Sequence, residues 1–103
     1  MRSFFSVLIF SLLTISVSAQ SIEDMISIYR ADYGALDRKY AVQPSEEYFN
    51  RFDQFYSNWL QDLDELNFSD LPHSQQVDYL MFKNEIERSA YFLDADRDQY
   101  NAI

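Results

Sequence analysis

From Gln75 to Ile103 the chain contains neither glycine nor proline, and its large apolar side chains fall into two sets on opposite sides of one helix. Val77, Leu80, Met81, Tyr91 and Phe92 share one side, and Tyr79, Phe82, Ile86, Ala90, Leu93 and Tyr100 lie opposite. A helix that is apolar on two faces needs a layer of partners against each. No Lys or Arg occupies the last turn and nothing there halts the helix, so the stretch reads as the middle of a larger helical protein.

Two further helices are expected ahead of it. From Ser21 to Val42 the apolar positions Ile22, Met25, Ile26, Tyr29, Tyr33, Leu36 and Tyr40 recur at intervals of three and four, a single stripe. Ser21 followed by Asp24 resembles a capping box, and Glu23 and Asp24 suit the positive end of the helix dipole. Pro44 closes the segment, and Ser45 with Glu46 and Glu47 opens the next. That helix, Glu46 to Asn67, carries Tyr48, Phe49, Phe52, Phe55, Tyr56, Trp59, Leu60, Leu63 and Leu66 on a wider arc that must touch two neighbours. Trp59, near the middle of the arc, is the expected packing centre. Asn67 to Ser74 breaks the pattern. The expected fold is all-α, a three-helix N-terminal segment of a larger helical domain.

The first 19 residues are of another kind. Arg2 supplies a positive charge, Phe4 to Val17 is an uncharged apolar run, and Val17-Ser18-Ala19 places small residues where a signal peptidase cuts. The run is shorter than the roughly 20 residues needed to span a bilayer, so residues 1–19 read as a cleavable signal peptide rather than an anchor. Export to the periplasm or the extracellular space follows, with residues 20–103 as the helical segment and no stable membrane span after cleavage. Cleavage removes Arg2 alone among the charges and takes the formal net charge from −9 to −10. So acidic a chain is repelled by nucleic-acid backbones and anionic lipid surfaces. It has no cysteine, hence no disulfide, thiolate metal site or cysteine nucleophile.

No reaction is legible in the remaining residues. Asp94, Asp96 and Asp98 alternate like the start of a calcium loop, but Gln99 stands where that loop needs glycine. His73 is the only histidine, at a helix start, while a catalytic zinc normally takes three protein ligands. Asp62, Asp64 and Glu65, and the pair Glu85 and Glu87, read as solvated helix faces rather than a glycosidase-like carboxylate pair. Gly34, the only glycine, makes no phosphate loop, and one histidine makes no Ser-His-acid set. No catalytic, cofactor-binding or metal-binding residue is assigned.

The stretch Glu46 to Glu87, EEYFNRFDQFYSNWLQDLDELNFSDLPHSQQVDYLMFKNEIE, resembles the N-terminal part of the exported bacterial proteins grouped as domain of unknown function 885. Phe55, Tyr56, Trp59 and Leu60 carry the likeness, followed by Val77-Asp78-Tyr79-Leu80 and Asn84-Glu85-Ile86-Glu87. The resemblance implies a much longer, mostly helical protein whose later part holds His-Glu and Pro-Gly-His type stretches suggestive of a zinc-peptidase-like site. None of those later residues occurs here, so the resemblance carries no catalytic residue or zinc ligand onto this chain and leaves open whether the parent is an enzyme.

Two expectations follow. In the first, the chain is the N-terminal helical scaffold of an exported metallopeptidase-like hydrolase, with Phe52, Phe55, Trp59, Tyr79 and Phe82 docked against the remainder of its own chain beyond Ile103. In the second, it is a small exported helical module that binds a protein partner. Both start from export, which has its own test: intact mass or N-terminal sequencing of exported protein is expected to give Gln20 as the first residue. A membrane-bound form retaining Met1 would contradict the signal-peptide reading.

Overall fold

A computed structural model describes residues 21–41 and 44–103. The signal-peptide expectation for residues 1–19 lies outside them. The described residues form three α-helices, α1 (Ile22–Lys39), α2 (Glu46–Asp64) and α3 (His73–Asn101), with a single 3₁₀ turn at Phe68–Asp70 and no strand. The all-α expectation holds. None of the described helices is long and apolar enough to cross a membrane.

Local chemistry sets the helix starts. The Ser21 hydroxyl accepts the Asp24 backbone N–H at 3.2 Å, and the Ser45 hydroxyl accepts that of Tyr48 at 3.1 Å, so each serine satisfies one donor that the first turn leaves without a partner. The ends come sooner than the apolar pattern implies. Tyr40 leaves helical geometry while its N–H still reaches the Leu36 carbonyl at 3.2 Å, ending α1 at Lys39 with Arg38 and Lys39 beside its negative pole. The second helix stops at Asp64, not Asn67. Leu66 donates to the Leu63 carbonyl three residues back, and the Asn67 side chain caps the 3₁₀ turn, accepting from Ser69 N–H at 3.3 Å and donating to Asp70 at 2.8 Å. Asparagine competes with the helix in this way because its amide offers the backbone local partners. Pro72 then stands at the N-cap position of α3 without a side-chain hydrogen bond, and the helix starts at His73 rather than near Gln75.

The helices run up, down and up. Phe49 near the start of α2 meets Tyr100 near the end of α3 at 5.3 Å between ring centroids, while the Tyr79 hydroxyl near the start of α3 donates to the Leu63 carbonyl at the end of α2, at 3.1 Å. Those two helices are therefore antiparallel, and α1 runs alongside α3 in the same direction. Ile22, Leu63 and Ile86, one from each helix, are fully buried, and Phe52 and Phe82 nearly so. Tyr29 is the ring that joins all three helices: its centroid lies 5.3 Å from Phe55, 5.6 Å from Trp59 and 5.2 Å from Phe82.

Trp59 is not the packing centre. Its edge meets Tyr29 and Phe82 as a mid-arc residue should, yet the indole is only half-buried. The cause lies between α1 and α2, which meet through aromatic rings (Tyr29 with Phe55, Tyr33 with Phe52, Tyr40 with Tyr48) rather than by close backbone approach. Ring-width spacing leaves an open groove along this seam, and Trp59 forms part of its wall. Phe52, surrounded by Tyr33, Tyr48 and Tyr56, is the better-enclosed residue of α2.

Burial also acts on the phenols. Tyr29 is pushed up to about 12 from the usual 10, first by burial and then by the Glu85 carboxylate and Tyr33, against a smaller opposing effect of the Ser89 hydroxyl. Tyr56 is raised by burial and by Tyr29, Tyr33 and Tyr48.

Two outcomes are expected. Phe52→Ala should cost about 3 to 5 kcal/mol in chemical denaturation, the range for emptying an enclosed aromatic site, and Trp59→Ala should cost less. An equal or larger loss at Trp59 would restore it as the centre. Below pH ~10 both folded and unfolded chains keep the tyrosine protons, so Tyr29 adds no pH dependence there. As pH rises from about 10 to about 12 the unfolded chain ionises first and stability falls. Thermal melts across that window should show the decline, and Tyr29→Phe should lessen it, leaving the part that the raised Tyr56 phenol contributes.

Candidate functional site

The residues weighed for chemistry do not converge. His73 is exposed in the first turn of α3. Asp94 and Asp98 are exposed along its last turns, as is Asp96. Asp62, Asp64 and Glu65 lie exposed at the end of α2, far along the chain fold from that end of α3, and Glu85 and Glu87 point to different sides of α3, with Glu85 turned toward Tyr29 of α1. Among the described residues no group of three or more His, Cys, Asp or Glu side chains is placed to hold a metal ion. The donor set of a zinc-peptidase centre therefore does not fit these residues.

What the fold does assemble is an apolar face. Residues 77, 80, 81, 91 and 92 fall on the side of α3 turned away from the bundle, and there Val77 is 45% exposed, Leu80 56%, Met81 67%, Tyr91 70% and Phe92 51%. The opposite side buries Tyr79, Phe82, Ile86 and Leu93, with Ala90 packed against them. The two-faced pattern of this helix is thus resolved as one filled face and one open one. Tyr100, placed by spacing on the filled side, is 42% exposed because it lies beyond the end of the shared core, with its ring against Phe49.

The open face has two apolar ends with a polar waist. Val77, Leu80 and Met81 form one end, and Tyr91 and Phe92, with ring centroids 5.7 Å apart, form the other. Asn84 and Arg88 lie between, and the Arg88 guanidinium rests over the Phe92 ring at 5.6 Å. Each large side chain moved from water into a packed interface there is worth about 1.5 to 3 kcal/mol. The residues expected to dock outward are a different set: Phe52, Phe55, Tyr79 and Phe82 are buried inside the bundle, and of that set only Trp59 reaches the surface. Helical spacing alone marks which residues share a face, not which of two apolar faces the first two helices will occupy.

Two hollows on this surface are the most spacious of those described. The groove between α1 and α2, about 520 Å³, has Leu36, Phe55 and Trp59 on its walls and charges of both signs along its rim: Asp32, Asp62, Lys39 and Arg51. The second, about 510 Å³, lies where the end of α1, the first turn of α2 and the last turns of α3 meet, among Tyr40, Tyr48, Phe49 and Tyr100. Sequence reasoning missed this cup because its members come from three separated stretches and each looks like an ordinary core or surface residue by itself. Burial raises the Tyr48 phenol, and Tyr33, Asp96 and Asp37 add to the rise; the hydrogen bond that Tyr40 donates to Glu47, 2.9 Å, is the main cause of the rise there. The chain matches no family model, no curated protein and no solved structure.

Proposed function

We propose that this chain is a helical scaffold layer of an exported protein resembling the domain of unknown function 885 hydrolases, with α3 shared between two layers. The observation that carries the reading is the open apolar face of α3, set against a complete core on its other side. The stretch that bears the resemblance fits such a role: in Val77-Asp78-Tyr79-Leu80, Tyr79 faces the bundle while Val77 and Leu80 face outward. The occupant in this reading is the remainder of the same protein, beyond Ile103. Catalysis and any zinc belong to that remainder, and the described residues contribute packing.

The scaffold reading makes the outer face expendable in isolation and necessary in the parent. Leu80→Asp with Tyr91→Asp is expected to leave the stability of the segment 20–103 within about 0.5 kcal/mol, as for surface positions, while abolishing its binding of an apolar dye. In the longer parent protein the same pair should cost several-fold more than in the segment, because two charges are then buried without partners. Equal effects in both contexts would reject the shared-helix reading. A reading frame closed at Ile103, with a separate protein competing for the dye, would favour the partner-binding module instead.

A further inference from the structure

Resting on the scaffold reading of α3, we infer that the element covering its outer face is a single helix that brings a carboxylate to Arg88 and carries basic side chains along its own borders. The spacing of the face specifies a helix. Val77, Met81, Asn84, Arg88, Tyr91 and Ala95, all exposed, follow one another at intervals of four and three, the seam on which a second helix seats at a shallow crossing angle of about 20°. A strand repeats every two residues and cannot follow such a seam. The middle of the seam specifies the carboxylate. Asn84 and Arg88 sit between the two apolar ends, so a helix that buries those ends takes the guanidinium out of water as well. A buried cation without a partner is costly, and a carboxylate held in fork geometry offsets that cost. Arg88 can make this pair, because its contact with Phe92 at 5.6 Å uses the face of the guanidinium and leaves the N–H edges available. Two carboxylates of the chain share a hollow with it: Glu85 is turned toward Tyr29, and Asp78 lies about three turns back along the helix.

The borders of the seam specify the remaining charges. At about 100° per residue, Glu87, Asp94 and Asp98 run along one side of it, and Asp78 and Glu85 along the other. Lys83 lies further round toward the bundle, half-buried, and Arg97 donates to Asn50 at 3.0 Å. Flanking charges of this kind set partner choice, attracting Lys or Arg on the covering helix and repelling Asp or Glu. A second copy of the chain fails on both counts. Its borders are acidic too, and its seam meets Arg88 with the Asn84 amide when antiparallel about the waist, or with another guanidinium when parallel and in register. The occupant is therefore a helix of unlike sequence, in this reading one from the remainder of the protein, acidic at the centre of its seam and basic beside it.

The test titrates the purified full chain with labelled helical peptides of about three heptads, followed by fluorescence anisotropy at constant ionic strength. All share one apolar seam. Two have lysine borders and differ only in glutamate or glutamine at the central seam position, and a third has glutamate borders. The lysine-bordered, glutamate-centred peptide is expected to saturate the chain, its glutamine form to bind roughly tenfold more weakly, and the glutamate-bordered form more weakly still. Non-specific attraction to a chain of net charge −9 runs the other way, because the glutamine peptide is the more positive of the pair. Arg88 is exposed, so Arg88→Gln should leave the helical circular dichroism intact and remove the preference, and Arg88→Glu should transfer it to a peptide with lysine at the centre. No saturation by the first peptide, equal binding of its glutamine form, or a preference that persists in Arg88→Gln would each overturn this inference while leaving the scaffold reading to the comparison of segment and parent. Unchanged binding in Leu80→Asp with Tyr91→Asp would place the peptide off the outer face and overturn it as well.

Discussion

The ring of Tyr29 is the contact on which the arrangement of the three helices depends. It stacks on Phe55 and meets Trp59 and Phe82 edge-on, so one side chain of α1 is fitted to both other helices at once. Aromatic pairs at such angles add about 0.5 to 1.5 kcal/mol each beyond the area they bury, and their preference for stacked or perpendicular geometry makes them directional. An aliphatic residue at this position fills space without selecting an orientation. The same width that lets tyrosine bridge two neighbours keeps α1 and α2 apart and opens the groove beside Trp59. Spacing, tilt and surface relief at this end of the bundle share one cause.

The polar side of the structure follows a comparable economy. Among the described residues the buried core holds no charged side chain, and its hydroxyl-bearing members are tyrosines. The Tyr79 hydroxyl donates a second hydrogen bond to the Leu63 carbonyl, which already accepts from Leu66 N–H, so the longest described helix reinforces the end of its neighbour across the interface. The acidic residues that dominate the composition stay on solvated faces, where like charges repel weakly through water.

Much of this was legible in the residues. Ser21 and Ser45 marked both helix starts because a short hydroxyl side chain has one favourable use at that position, and the structure places both there. The two apolar faces of α3 were legible from spacing alone, since a helix maps sequence onto angle with little freedom. Helix ends were harder: the end of α2 depends on the Asn67 side chain outcompeting three more helical residues, a balance of local hydrogen bonds that periodicity does not register. Trp59 was misplaced because arc position gives direction, not the distance to the facing helix. The cup near Tyr100 was invisible because it exists only once Tyr40 just past α1, Tyr48 of α2 and Asp96 of α3 are brought to one corner.

The connection between α2 and α3 bears on how the chain opens. The Gln76 side chain donates to the Phe68 carbonyl at 3.1 Å, Tyr79 donates to Leu63, and the Phe68 and Tyr79 rings lie 5.3 Å apart. The first two turns of α3 are thereby tied to the last turn of α2 and to the 3₁₀ turn between them, all within a short span of sequence. Contacts so close along the chain close with little loss of loop entropy, and they must break together. The α2–α3 hairpin therefore behaves as one cooperative unit, while α1, held to α2 by side-chain rings and the Tyr40–Glu47 hydrogen bond and packed less closely along α3 than α2 is, is the helix expected to lift away first. In hydrogen exchange the amides of α1 would report partial opening, and those flanking Leu63 and Tyr79 would report the global event.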